Sequence, residues 1–233
     1  MSIFVTNRIK AGLKLTLVLT QLMLLSILYI IGITAEAMTG AIAAGKRNMD
    51  WFGVMLVASA TAIGGGSVRD ILLGHYPLGW VAHPQYLVIT CLAGLLTTVM
   101  AKWVVRFHKL FIILDAIGLI VFSIIGCRVA MNMGLPAIIC AVAAVVTGVF
   151  GGMLRDLICR RQPMVLHKEL YASVSLIAGV IYWAMLHFGI DQDLTIIVTL
   201  VVGFTMRMAA VQYNWSLPVF SFEDESERVA SSE

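Results

Sequence analysis

The chain has 233 residues, of which 60% are hydrophobic and 12% charged, with a mean hydropathy of +0.95 and a formal net charge of +3. A soluble domain carries about 25% charged residues, so this composition excludes a water-soluble fold, and at about 20 residues per span the length allows about seven spans with no separate soluble domain. The basic residues are spread over short loops rather than gathered in a patch, which excludes a nucleic-acid partner and makes them reporters of topology.

In chain order, Arg8, Lys10 and Lys14 precede an apolar run that merges into the first span. No small-residue cleavage site followed by soluble sequence comes after it, so a signal peptide is disfavoured. The stretch 1–22 reads as an extension: an interfacial helix, or sequence upstream of an alternative start at Met23. Spans are expected over 23–45, 51–73, 85–105, 111–133, 136–159, 170–188 and 194–213. Pro77 and Pro84 bracket the loop after the second, and Pro136 opens the fifth, a position that favours proline. Glu223, Asp224, Glu225 and Glu227 make the end of the chain a solvated, disordered tail. Cys91, Cys127, Cys140 and Cys159 fall in apolar stretches without a C-x-x-C and read as packing residues. The histidines at 75, 83, 108, 167 and 187 lack metal-ligand spacing, so neither a metal nor a cofactor is expected.

The loops after spans one, three and five carry Lys46, Arg47, Lys102, Arg106, Lys109, Arg160, Arg161 and Lys168, whereas those after two, four and six carry no Lys or Arg. The positive-inside rule then places the N-terminus outside and the C-terminus in the cytoplasm. Arg8, Lys10 and Lys14 oppose this orientation, and a start at Met23 would remove the conflict.

The most informative feature is a repeat. Gly64-Gly65-Gly66-Ser67-Val68-Arg69-Asp70 returns 86 residues later as Phe150-Gly151-Gly152-Met153-Leu154-Arg155-Asp156. At the same offset Gly118 falls on Gly32, Gly126 on Gly40, Thr147 on Thr61 and Pro163 on Pro77, while Ala144, Gly148 and Gly152 fall on Ala58, Ala62 and Gly66 as a ridge of small residues suited to close helix approach. Each repeat holds three spans, an odd number, so the second enters from the opposite side. The expected fold is an all-α polytopic membrane protein with seven transmembrane helices as two inverted three-helix repeats plus one. Its parts are the extension 1–22, the first repeat 23–108, the second repeat 109–193, the seventh helix 194–213 and an acidic cytoplasmic tail 214–233.

Three consecutive glycines inside a span favour local unwinding, each costing about 1 kcal/mol relative to alanine. Free carbonyls at the break would replace part of a cation's hydration shell. Ser67 would cap the following half-helix, with Asp70 three residues on. The competing reading is an unbroken helix packed tightly through its glycines. Gly64, Gly65, Gly66, Ser67, Gly151, Gly152 and Glu36 are the candidate ion-pathway residues, and replacing Gly65 and Gly151 with leucine should stop flux while leaving assembly intact. Arg69, Asp70, Arg155 and Asp156 are the candidate gating or pore-shaping charges. As sequence neighbours on a helix, Arg69 and Asp70 should not face each other. The two arginines read equally as helix-end anchors that snorkel. Glu36, the one acid well inside span one, is either a pathway carboxylate or an arginine's partner. Asp115 reads as a helix-start or ion-pair residue.

The two boxes, together with Leu114-Asp115-Ala116-Ile117-Gly118, Met49-Asp50-Trp51-Phe52-Gly53 and Lys168-Glu169-Leu170-Tyr171, resemble bacterial members of the trimeric intracellular cation (TRIC) channel family, also labelled glycine-transporter-domain proteins, over about 23–213. The resemblance implies a homotrimer in the bacterial inner membrane, with a pore in each protomer lined by glycine-kinked spans two and five and conducting K⁺ and Na⁺. Phe150 stands where the first box has its leading glycine, which implies a milder second kink. The other function the residues allow is a secondary transporter of a small zwitterion such as glycine. The sequence has no paired intramembrane aspartates, no H-E-x-x-H and no Ser/His pair at one depth, so no enzyme is expected.

Overall fold

The computed structural model describes residues 2–100, 108–167 and 170–218, and all the regular structure among them is helical. The described residues form nine helices, in order α1 (Ser2–Gly45), α2 (Trp51–Leu73), α3 (Gly79–Ala82), α4 (Gln85–Val99), α5 (His108–Asn132), α6 (Ala137–Ile158), α7 (Met164–His167), α8 (Tyr171–His187) and α9 (Gln192–Gln212). Among the described residues five segments are long and apolar enough to cross a membrane: Met23–Gly45, α2, Lys109–Asn132, α6 and α9. Helices α4 and α8 are apolar but shorter, with 15 and 17 residues, about 22 Å and about 26 Å at 1.5 Å per residue. The span expected over 85–105 ends at Val99, and residues 101–107 lie outside the described residues, as do Lys168, Glu169 and the acidic run of the tail. Helix α1 passes without interruption through the expected boundary at residue 22.

Helix ends follow local chemistry. The Asp50 carboxylate accepts from Gly53 N at 2.7 Å and caps α2, and Asp191 does the same for α9 through the amides of Asp193 and Leu194. Gly74 closes α2 in the left-handed conformation (φ 65°), returning its amide to the Asp70 and Ile71 carbonyls. Pro136 stands one position before α6 rather than inside it, where its missing amide costs no helix bond.

The centre of the bundle is α1, α2, α5 and α6. Helix α4 packs on α1 and α2, α8 packs on α5 and α6, and α9 covers α5 and α8. Small residues set the approach distances. A side chain on Gly40 would collide with the Val57 carbonyl and Thr61, and one on Gly126 with the Ala143 carbonyl and Thr147. Gly94 receives the Ala58 methyl and Gly179 that of Ala144. The small-residue ridges are therefore consumed by packing inside one chain. All four cysteines are free thiols, and Cys127, Cys140 and Cys159 are buried among apolar neighbours. After α9, Trp215 turns back: its amide donates to Ala210 O and its carbonyl accepts from Leu170 N, both at 3.0 Å.

Candidate functional site

Helices α2 and α6 cross at the two glycine boxes. A Cβ on Gly65 would overlap the Thr147 carbonyl, and one on Gly151 the Thr61 carbonyl. The pairs 65–147 and 61–151 run antiparallel, so the Arg-Asp pair ending each box lies on the opposite side of the crossing from the other. The Thr61 and Thr147 hydroxyls donate to carbonyls one turn back, Val57 O at 2.6 Å and Ala143 O at 2.7 Å, which leaves two nearly bare helix surfaces in contact.

The expected unwinding is absent. Both α2 and α6 are helical through their boxes, and the Ser67 hydroxyl donates to Ile63 O at 2.8 Å instead of capping a second half-helix. Glycine's helix penalty is about 1 kcal/mol, whereas a backbone amide left unpaired in a membrane costs several; close packing across the crossing then favours the intact helix. Gly64 makes room for Leu154, while Gly66 and Gly152 lie beside the guanidinium groups of Arg69 and Arg155.

At the first box, Arg69 donates to Asp70 Oδ1 from Nε at 2.9 Å and from Nη2 at 2.7 Å. Neighbours on a helix do face each other here, because the long arginine stem folds its planar head back over the short aspartate. Asp70 also accepts from His75 Nδ1 at 3.1 Å and from Gly79 N at 3.2 Å, tying the end of α2 to the loop before α4. Beside this pair a cavity of ≈ 20 Å³ is lined by Tyr29, Gly66, Ser67, Arg69, Asp70 and Thr147, among others, room for about one water.

At the second box, Arg155 donates to Asp156 Oδ1 at 3.0 Å, Asp115 Oδ1 at 2.8 Å and Thr39 Oγ1 at 3.2 Å. Glu36 Oε2 lies 4.0 Å from its Nη1, and the guanidinium carbon sits 4.9 Å from the centre of the Phe111 ring. The Thr39 hydroxyl is 3.1 Å from Glu36 Oε2. The other carboxylate oxygen, Oε1, packs against Gly118 and is buried with no hydrogen-bond partner among the described residues. Asp156 Oδ2 accepts from Met164 N at 3.2 Å, as Asp70 does from Gly79. Arg155 is 0% exposed and Arg69 7%, so neither snorkels: protein carboxylates, not headgroup water, satisfy both.

The structure thus gathers Glu36, Arg155 and Asp156 into one cluster, Arg69, Asp70 and Ser67 into another, and the glycines between them. Asp115 is the ion-pair residue of the two readings the sequence left for it. Tyr29, Thr39, His75 and Phe111 were not anticipated. Tyr29 had a signal, since it occupies the position of Asp115 at the 86-residue offset.

A family model described as Glycine transporter matches residues 26–102 and again 112–187. The chain belongs to this family. Among its relatives, the glycine-transporter-family chain is 36% identical over 204 residues to the UPF0126 inner membrane protein YadS of Escherichia coli (strain K12), covering 87% of this chain and 99% of that one. It is 35% identical over 200 residues to the UPF0126 membrane protein YvgT of Bacillus subtilis (strain 168), covering 84% and 96%. Solved structures of bacterial TRIC channels share the fold of this family member. One, from work on conductance through TRIC cation channels, has 31% identity and a TM-score of 0.79 over 85% of this chain and 98% of its own. The TRIC trimeric intracellular cation channel orthologue from Rhodobacter sphaeroides has 29% identity and a TM-score of 0.79 over 82% and 98%. A prokaryotic TRIC channel in 0.5 M KCl has 32% identity and a TM-score of 0.77 over 84% and 99%. The family member is a membrane protein and, like these relatives, not an enzyme.

Proposed function

We propose that the chain is a monovalent cation channel of the bacterial inner membrane, conducting K⁺ and Na⁺ through a path between α2 and α6 of each protomer in a homotrimer. The observation that carries this reading is the glycine crossing. Two bare helix surfaces meet between two buried Arg-Asp pairs, on a fold shared with TRIC channels at about one-third identity. Small rotations of α2 against α6 open or close such a contact, because no side chain stands between the backbones. No cofactor takes part, and the ions pass transiently.

In this reading α4 and α8 also span the membrane, giving seven spans as two inverted triplets over 23–108 and 109–193, then a seventh helix over 194–213. The extension 1–22 precedes them and the tail 214–233 follows them. The reciprocal glycine contacts at one sequence offset support the inverted arrangement. The basic loops place the N-terminus outside and the C-terminus in the cytoplasm. Planar-bilayer recording of the purified protein in asymmetric KCl tests the proposal: discrete cation-selective openings are expected, and a silent bilayer overturns it.

The family description, together with the buried unpaired oxygen of Glu36, favours one second reading: a secondary transporter of a small zwitterion such as glycine. Saturable glycine uptake into liposomes without unitary conductance would decide for it.

A further inference from the structure

Asp70 is the meeting point of three elements. It is 1% exposed, yet its Oδ1 is shared between the buried Arg69 and His75, whose side chain is 43% exposed. His75 is therefore a solvent-facing group in direct contact with the buried charge pair that lines the small cavity beside the crossing. The second box has the same backbone course without that contact. His75 N donates to Asp70 O at 2.8 Å, and Arg161 N donates to Asp156 O at 2.8 Å. There the position of the histidine is held by an arginine, whose charge does not change, and among the described residues the Asp156 carboxylate accepts from Arg155 and the Met164 amide alone. The molecule thus carries a histidine on the carboxylate of one of its two Arg-Asp pairs, where the other pair has Arg161 at the matching position.

We infer that His75 is a proton-binding site that sets the charge of the Arg69–Asp70 pair and so regulates cation passage from that side of the membrane. The inference rests on the channel reading. With a neutral imidazole, Arg69, Asp70 and His75 sum to zero. A proton on His75 makes two cations share one carboxylate oxygen, adding a unit positive charge beside the cavity and weakening Asp70's hold on Arg69. Histidine is the side chain whose charge changes in the physiological range. The other titratable or charged groups at this end are Tyr29 of α1 and Tyr86 of α4, whose ring centroids are 4.6 Å apart, Arg128 of α5, which lines a pocket with both, His83, which packs on Tyr86 and lies 3.4 Å from the Gln85 amide, and the exposed Tyr76 next to His75. Among the described residues none of these groups hydrogen-bonds Asp70, whose side-chain partners are Arg69, His75 and the Gly79 amide.

The experiment is conductance of the full chain in symmetrical KCl, with one chamber at a time stepped from about pH 8 to about pH 5.5. Acid on one side alone should lower cation conductance by about twofold or more, the scale of one charge placed at a cation entry. His75→Gln should remove the response, His75→Lys should hold conductance low at both pH values, and His83→Gln should keep the response of the parent chain. A flat profile in the parent chain, a response that survives in His75→Gln, or equal effects from both chambers would overturn the inference while leaving the channel intact. Absence of conductance at every pH would instead overturn the channel reading. In that case the emission of Trp80, which lines the same cavity and is identified by difference from Trp80→Phe, decides the proton site. A pH-dependent change lost in His75→Gln supports it, and an unchanged emission overturns it.

Discussion

Around Arg69 the guanidinium meets one carboxylate, which a histidine with a 43% exposed side chain shares; around Arg155 it meets two directly, with a third 4.0 Å away, and all four charged groups are buried. The two sites share a glycine box, an intra-box Arg-Asp hydrogen bond and an aspartate capping the next loop amide. They differ because α1 and α5 contribute different side chains to them. α1 gives Tyr29 to the first box, whereas α5 gives Asp115 to the second, and α1 adds Glu36 and Thr39 across the centre. The same local motif is thus a solvent-linked pair in one place and a buried ionic cluster in the other. The first suits a responsive element and the second an anchor.

The strongest way to break this comparison is to remove each arginine. Arg155→Ala strands Glu36, Asp115 and Asp156 in the interior and should cost about 3–5 kcal/mol, seen as loss of folded protein on gel filtration in detergent. Arg69→Ala strands only Asp70, which keeps His75 and Gly79 N as donors, and should give a smaller fall in melting temperature. Equal losses would mean that the extra carboxylates do not matter.

The crossing should behave alike from both sides. Gly65→Ala and Gly151→Ala each push a methyl into a backbone carbonyl, which cannot yield as a flexible side chain does, and should each cost about 1–3 kcal/mol and reduce flux. For the same reason the leucine double variant should lose assembly together with conduction, against the expectation from sequence. One alanine tolerated and the other not, by melting temperature, would show that the crossing is not reciprocal in energy.

Phe111→Leu removes the ring beneath Arg155, which has no counterpart among the contacts of Arg69. It should lower stability by about 1 kcal/mol, read as a shift in melting temperature that vanishes in an Arg155→Gln background. The smallest effect on stability belongs to Glu36→Gln, whose carboxylate is at the outer limit of an ion pair with Arg155. Folded yield should be unchanged while flux changes, and unaltered flux would make Glu36 a packing residue.

Five long apolar helices and the two shorter ones, α4 and α8, were readable because hydropathy over about 20 residues is a local property. The small-residue ridges were readable as well, since small-x-x-x-small spacing is local chemistry, whereas the capping of α2 by Asp50 was not read from the sequence. Helix α4 ends at Val99, and residues 101–107, where the span expected over 85–105 has its end, lie outside the described residues. The sequence did not disclose that Arg155 would gather Asp115 from 40 residues away, Thr39 from 116 residues away and the Phe111 ring.

What the sequence determined by itself was the membrane class, the places of the long apolar helices and the doubled Gly-Gly-x-x-Arg-Asp box, because each depends on composition or spacing along one stretch of chain. The tertiary structure alone decided that the glycines join helices rather than break them, that Arg69 and Asp70 face each other, and that one box opens to solvent through His75 while the other is closed over by carboxylates. Those outcomes depend on which backbone or side chain a distant helix brings within 3–4 Å, and on the cost of leaving any buried polar group unpaired in a membrane.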